Sequence, residues 1–437
     1  MAEVEVLMRR PIMVLSASLL IAAPLALADP ALAKEIRIPI ARDARGVPVP
    51  CVDDPHCHNR FHPAIPAVAH ANPGDTVVFE TRDAFDNQLN ARSTPADVAA
   101  LDASRVHPLT GPLHVNGAGP GDVLEVEVVK VAPGPDRFGY TIVFPGFGFL
   151  RDRFTEPAIA RWSLTQGSAS APELPGIRVP SQGFPGTIGV SPDRGLLTAV
   201  LIREAELAAA GGFVLLPDPM NAAPRAVCQT GPAAPECLRT IPPRENGGNM
   251  DVKGMVAGTS LLFPCLVPGC NLSIGDVHFA QGDGEVSGTA IEMNAVITVR
   301  VKVRKGQAFL LNNRPAFEGG SQFKQLAPNK FYAVVGYPLK NRGEVPPTHT
   351  AHFDIPEITR LENLSEDLTL AARDALFKMI EYLQEAKRLT AEQAYLLSSV
   401  AVDLRIGNLV DVPNFAVYGV LSLDVFHGER EGPEGHD

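Results

Sequence analysis

Apolar and polar positions alternate through most of this chain and take up a helical period only near its end. From Ile36 to Pro50 the alternation is that of a strand running into a loop. Two later segments echo one another. Asn72-Pro73-Gly74-Asp75 leads into Thr76-Val77-Val78-Phe79-Glu80, and Gly119-Pro120-Gly121-Asp122 leads into Val123-Leu124-Glu125-Val126-Glu127-Val128. Proline followed by glycine is type II turn chemistry, so each unit predicts a turn feeding a half-buried strand. The pair should hold related positions in antiparallel structure; two copies are too few for a repeat architecture. Val299-Arg300-Val301-Lys302-Val303-Arg304 predicts another strand, and 306–358 reads as more strands and loops. The period then changes. Ser365 can cap a helix, with Glu366 and Asp367 in its first turn where the dipole favours acids. Leu376, Met379, Ile380 and Leu383 fall on one helical face. Thr390 and Gln393 form a capping box for a second helix, predicted to run to about Ile406 with Gly407 as its stop. Phe415 to Phe426 predicts a returning strand. The fold class expected is α+β: mainly antiparallel β-structure, sandwich or barrel-like, with a late helical pair. No Rossmann or phosphate-loop pattern is present.

Size and charge narrow the partners. The chain has 437 residues, 45% of them hydrophobic, enough for a substantial core. Net charge is −11 with no basic tract, which argues against nucleic acid as a partner. Arg9 and Arg10 precede an apolar run from Pro11 to Leu27, followed by the small-residue patterns Ala26-Leu27-Ala28 and Ala31-Leu32-Ala33. That is a signal-peptide layout; Met8 is an alternative start. A membrane anchor is the competing reading, but Pro24, Asp29 and Pro30 break the run before spanning length. We expect a leader over 1–33 cleaved after Ala33, a folded domain over 34–437, no stable membrane span afterwards, and a periplasmic or secreted product. The six cysteines agree, falling in close pairs: Cys51 with Cys57, Cys228 with Cys237, Cys265 with Cys270. In an exported chain such pairs predict disulfides, although sequence does not fix connectivity. A zinc site or a cysteine nucleophile is the alternative. Residues 217–244, rich in proline, predict an exposed loop-rich insertion.

One stretch is too polar for core and too particular for a spacer. It runs from Asn249-Met250-Asp251 through Gly275-Asp276-Val277-His278 and Gln281-Gly282-Asp283-Gly284-Glu285 to Glu292. Asp276, His278, Asp283 and Glu285 offer one nitrogen and several oxygens, the donors of a hard or borderline divalent metal. On an extended chain Asp276 and His278 face the same way, as do Asp283 and Glu285. Elsewhere, His58 and His62 sit four apart, but Pro63 and Pro66 argue against a helix, leaving either a site-lining His58 or locally bonded loop histidines. Asp83 follows a predicted strand, as a functional carboxylate or a turn cap. Phe144-Pro145-Gly146-Phe147-Gly148-Phe149 could wall an apolar pocket or simply pack.

These motifs resemble the acetamidase/formamidase family. The resemblance is carried by Gly248-Asn249-Met250-Asp251, the Gly275 to His278 and Gln281 to Glu285 segments, and His58-Asn59-Arg60-Phe61-His62-Pro63 of the formamidase branch. Asp83-Ala84 with Gln88, Thr110-Gly111-Pro112, the two Pro-Gly-Asp turns and Ala394 to Asp411 add to it. It covers most of the chain after about residue 35. It implies hydrolysis of a short primary amide, formamide or acetamide in kind, to carboxylate and ammonia, with a bound divalent metal: zinc first, calcium second. Such a metal can lower the pKa of a bound water towards about 7 and polarise the carbonyl, while a free carboxylate carries the proton. On this reading Asp276, His278 and Asp83 form the metal centre with Asp251 at or behind it. Glu285 carries the proton, Asp283 or Glu292 orients it, and Asn249, Gln281 and His58 line the substrate. A homo-oligomer is expected. The competing readings are an exported non-catalytic metal or ligand binder on the same scaffold and a hydrolase of a larger amide, the latter raised by the export signal.

Overall fold

Among the described residues, strands dominate the chain up to residue 338, interrupted by the helix Arg194–Ala209, and a helical pair with two further strands follows. The structure is a computed structural model describing residues 33–338, 367–409 and 415–427, apart from 213 and 313. The leader expected over 1–33 lies outside the described residues except for its last position, as do Ser365, Glu366 and Asp411.

A six-stranded sheet has the order Glu35–Ile38, Thr76–Thr81, Ala295–Arg304, Val123–Pro133, Ser260–Pro264, Ala316–Glu318. The two echoing turn-strand units flank Ala295–Arg304 on either side, both antiparallel to it. Their aspartates close the turns: Asp75 accepts the backbone N–H groups of Lys34 and Asn72, and Asp122 those of Gly119 and Gly306. Ala295, Ile297, Val299 and Val301 are buried while alternate residues are half-buried, the period the sequence predicts.

A second, eleven-stranded sheet carries the site. Its axis is the strand Leu272–His278, buried at every position. On one edge it pairs with Phe184–Gly189; on the other it pairs first with Leu109–Val115 and then, at its end, with Glu292–Met293. Phe79 and Ile297 of the first sheet and Phe184, Val277 and Phe279 of this strand region share one hydrophobic core. Burying one face of each sheet on a common core is the sandwich solution; among the described residues neither sheet closes into a barrel.

The late segment forms a third layer. The helix Leu368–Lys387 is capped by Asp367, whose carboxylate accepts from Leu370 N–H, and it buries Leu376, Met379, Ile380 and Leu383. Thr390 and Gln393 form the expected capping box for Ala391–Ala401. That helix ends five residues earlier than predicted. Val402-Asp403-Leu404-Arg405-Ile406 alternates in a period of two and is β-branched at both ends, so it continues as the strand Val402–Asn408, paired with Ala416–Ser422. The segment 217–244 also departs from expectation. It is loop-rich, but Ala222, Ala223, Cys228, Cys237, Leu238 and Thr240 are buried, and Leu238–Arg239 pairs with Arg60–Phe61. The buried Arg60 guanidinium ties it down by donating to the carbonyls of Asp218 and Met220. All six cysteines form the three expected disulfides, which leaves no thiol for a nucleophile. No helix among the described residues is long and apolar enough to cross a membrane.

Candidate active site

Four short pieces of chain converge at the end of the strand Leu272–His278. His278 and Glu292 are register partners on adjacent strands. Asp276 stands two residues before His278, where the ladder breaks opposite Gly186 and the backbone turns to φ 51°. Asp251 (φ 50°) follows the short strand Gly247–Asn249, and Glu285 (φ 43°) follows Gly284 (φ 107°). Three acidic residues in the left-handed region, one of them a glutamate, mark a site whose surroundings hold strained backbone in place. That turn is also why simple two-residue alternation does not place Asp283 with Glu285.

The four carboxylates surround one imidazole nitrogen. His278 Nε2 lies 3.4 Å from Asp276 Oδ1, 3.4 Å from Glu292 Oε2, 3.9 Å from Asp251 Oδ1 and 3.9 Å from Glu285 Oε1. These gaps exceed direct N–H···O bonds. His278 Nε2, Asp251 Oδ1 and Glu292 Oε2 are buried with no hydrogen-bond partner. Buried polar atoms without partners call for an explanation, and donors pointing at a common centre supply one: Asp251, Asp276 and His278, and likewise His278, Glu285 and Glu292, each place ligand atoms within 4.8 Å of one another. One nitrogen among carboxylate oxygens suits a divalent cation, so the residues present fit the metal that the sequence motif implies.

Surrounding bonds aim these groups. Gln281 Oε1 sits 2.8 Å from His278 Nδ1, and Gln281 Nε2 donates to the Asp251 carbonyl at 2.8 Å. With its amide oriented by the Asp251 carbonyl, Gln281 accepts at Oε1, which assigns a proton to Nδ1 and aims Nε2 at the carboxylates. The Thr187 hydroxyl lies 2.7 Å from Asn249 Oδ1 and 3.0 Å from Asp276 Oδ2. Glu292 Oε1 accepts Ala290 N–H at 2.8 Å, which leaves Oε2 for the centre. Gly186 is the floor: a Cβ there would meet His278 Cε1 at 2.6 Å, Asp251 Oδ1 at 2.7 Å and the Asp276 carbonyl at 2.7 Å.

Crowded like charges in a buried place move the proton equilibria apart. Burial pushes Asp251 and Glu292 up to about 7 each, against the pull of His278. Burial and then the neighbouring Asp251 push Glu285 well above the usual carboxylate range. For Asp276 burial is outweighed by His107 and His278, which hold it below its ordinary value. Burial alone would lower His278; Glu292 and Asp276 reverse this and hold it well above a normal histidine.

The cluster opens into a cavity of about 850 Å³. Asn249, Asp251, Asp276, Gln281, Glu285 and Glu292 line it, as does the Phe144 to Phe149 loop. Three predicted site residues are placed elsewhere. Asp83 is buried, but its oxygens take the N–H groups of Phe85 and Asn87 and the Tyr140 hydroxyl, so it closes a turn instead of joining the ligands. His58 has both ring nitrogens occupied, by the Arg60 carbonyl and the Ser273 hydroxyl, each at 2.7 Å. Asp283 lies beside Lys253 and Asp403, its N–H donating to Asp403 Oδ1, and does not line the cavity. Gln281 does line it, yet both ends of its amide are engaged inside the protein, which makes it a support for His278 and not a substrate contact. His107 and Gly186 carried no signal in the sequence. His107 lines the cavity with Nε2 3.9 Å from Asp276 Oδ2, its Nδ1 buried without a partner. It stands alone between Val106 and Pro108, with no motif to announce it; Thr240, whose hydroxyl accepts its N–H at 2.6 Å, holds it from the 217–244 segment.

Comparison with known proteins agrees with the motif. A sequence model described as the Acetamidase/Formamidase family matches residues 49–428. The acetamidase of Mycolicibacterium smegmatis is 33% identical over 368 residues, covering 78% of this chain and 84% of that protein. The formamidase of Methylophilus methylotrophus is 30% identical over 399 residues, covering 86% and 91% respectively. Among solved structures, the gamma lactamase from Delftia acidovorans superposes with a TM-score of 0.79 at 30% identity, over 92% of this chain and 96% of that one.

Proposed function

Because this chain belongs to the acetamidase/formamidase family, we propose that its cluster hydrolyses a primary carboxamide, with short amides among its substrates, to carboxylate and ammonia through a water activated at a divalent metal. It is an amidohydrolase acting on linear carbon–nitrogen bonds. The observation that carries the finer reading is the set of four carboxylates and one imidazole nitrogen whose partnerless atoms point inward.

Asp276, His278, Glu292 and Asp251 would hold the ion, zinc first and calcium as the alternate. A divalent cation there supplies Lewis-acid polarisation of the amide carbonyl and makes a water acidic enough to deprotonate near neutrality. The residues supply the rest. Gln281 holds the histidine tautomer. Thr187 and Asn249 brace Asp276 and Asp251. Glu285 faces the cavity, and its raised affinity for a proton suits it to accept one from water and return it to the departing nitrogen. A binder would not need that extra carboxyl. His107 stands on the opposite side of Asp276, where its neutral ring can hydrogen-bond substrate or water; burial keeps its pKa low. The three disulfides support export to an oxidising compartment, periplasmic or extracellular.

Ammonia release from a panel of primary amides tests this, run with and without a strong chelator and a thiol alkylator. We expect release that the chelator abolishes and the alkylator leaves untouched. Release that survives exhaustive chelation would refute the metal reading.

A further inference from the structure

The cavity is far larger than a short amide requires. Acetamide fills roughly 60–90 Å³, two or three waters at about 30 Å³ each, against about 850 Å³ available. Its chemistry is also divided. The carboxylates gather around His278, with His107 beside Asp276, while Phe85, Val106, Phe144, Phe147, Leu215 and Ile241 form apolar wall. Phe85 and Phe144 belong to a built hydrophobic cluster with Tyr140 and Ile142, their rings 6.0 Å apart. The wall is tied to the catalytic segment. Phe149 N–H donates to the Val286 carbonyl at 2.8 Å. A Cβ at Gly288 would meet Phe147 Cδ1 at 2.5 Å, so that glycine is where the Phe147 ring lies against the chain that follows Glu285. A pocket of a few hundred cubic ångströms or more with apolar walls and a few convergent polar groups is the form that takes a ligand with an apolar body.

Resting on the reading that this cluster cleaves amides, we propose that its preferred substrates are primary carboxamides with a large apolar acyl group, of phenylacetamide or hexanamide size. The acyl body lies along Phe85, Phe144, Phe147 and Ile241, with the carboxamide at Glu285 and Glu292. The reaction is unchanged. The oxygen of water joins the carbonyl carbon and the C–N bond breaks. The nitrogen leaves with that electron pair and takes up the two water protons as ammonium, and the acid departs as carboxylate. Short amides use the polar end alone and forgo the apolar wall.

The test is kcat/KM for acetamide, butyramide, hexanamide and phenylacetamide with the intact protein, and again with Ile241→Trp, which fills the wall. Burial of one methylene corresponds to about a fourfold gain, so hexanamide and phenylacetamide should exceed acetamide at least tenfold. In the variant the phenylacetamide-to-acetamide ratio should fall at least tenfold; as a ratio, it is insensitive to partial loss of folded protein. Turnover of acetamide with kcat/KM flat or falling along the series overturns this proposal alone. A ratio unmoved in the variant overturns the assigned wall. No ammonia from any amide removes the amide reading itself, and this proposal with it.

Discussion

Gly186→Ala adds one methyl carbon beneath the proposed ion site. The new Cβ would stand 2.6 Å from His278 Cε1 and 2.7 Å from both Asp251 Oδ1 and the Asp276 carbonyl. Ordinary contact needs roughly 3.5 Å, so the neighbours must yield by about 0.9 Å. None of the three is a free chain end. His278 is fixed by Gln281, the Asp276 carbonyl is main chain, and the Asp251 loop is held through Gln281 Nε2. Gly186 is not in the left-handed region, so alanine adds no backbone strain and the effect is steric. Overpacking of this kind costs about 1–3 kcal/mol of stability. Misplacing a reacting constellation by about 1 Å costs on the order of 10²-fold in rate, about 2.7 kcal/mol of barrier. Two assays separate these costs: the denaturation midpoint and kcat for acetamide. Gly119→Ala is the control, since a Cβ there meets nothing within 4 Å. We expect Gly186→Ala to lose about 10²-fold in kcat and half or more of its ion affinity while staying folded, and Gly119→Ala to match the parent. Full activity in folded Gly186→Ala would show that the three groups do not act as a tight set.

Three further substitutions probe separate parts of the site. Glu285→Gln should lower kcat by about 10²–10⁴-fold with circular dichroism and ion content unchanged; unchanged turnover would reject its role as proton carrier. Gln281→Leu removes the acceptor on His278 Nδ1, and loss of such a support weakens ion binding by about 10–100-fold, measurable by competition with a chelating dye; parent affinity would show that the imidazole is oriented by packing alone. Asp403→Asn strands the buried Lys253 ammonium, which pairs with Asp403, and weakens the acceptor for Asp283 N–H. It should cost about 3–5 kcal/mol in denaturant unfolding and lower kcat more than it raises KM, because Lys253 and Asp283 lie on the chain segments that carry Asp251 and Glu285. A variant as stable as the parent would deny that link.

The alternating strands, the two turn units and the helix caps were legible in the sequence because each rests on local chemistry. A proline–glycine turn or a Thr–Gln box needs no distant partner. Asp276, His278, Glu285, Asp251 and Glu292 were legible as a set because glycines and acids crowd one stretch. Geometry of the set was less so. Alternation treats the stretch as extended, whereas Asp251, Asp276 and Glu285 sit at positive φ. Asp83 read as a metal ligand and His58 as a substrate contact, yet they hold a turn and a strand, since a carboxylate or imidazole that closes a loop has the same letter as one that serves a site. His107 and Gly186 were invisible for the opposite reason: one lies alone in its sequence neighbourhood and the other is a glycine without a turn. Their importance arises from cross-strand packing, which no local pattern encodes. The helix end at Ala401 was missed where a two-residue period took over from a helical one.

On the proposed mechanism, turnover depends on an ion held by His278 and the carboxylates around it. The measurement is ammonia release from acetamide by demetallated protein as zinc is titrated back, with bound metal counted at each point. We predict activity near background without metal, rising in proportion to bound ion and levelling at one per chain. Full activity in protein stripped of metal would contradict it.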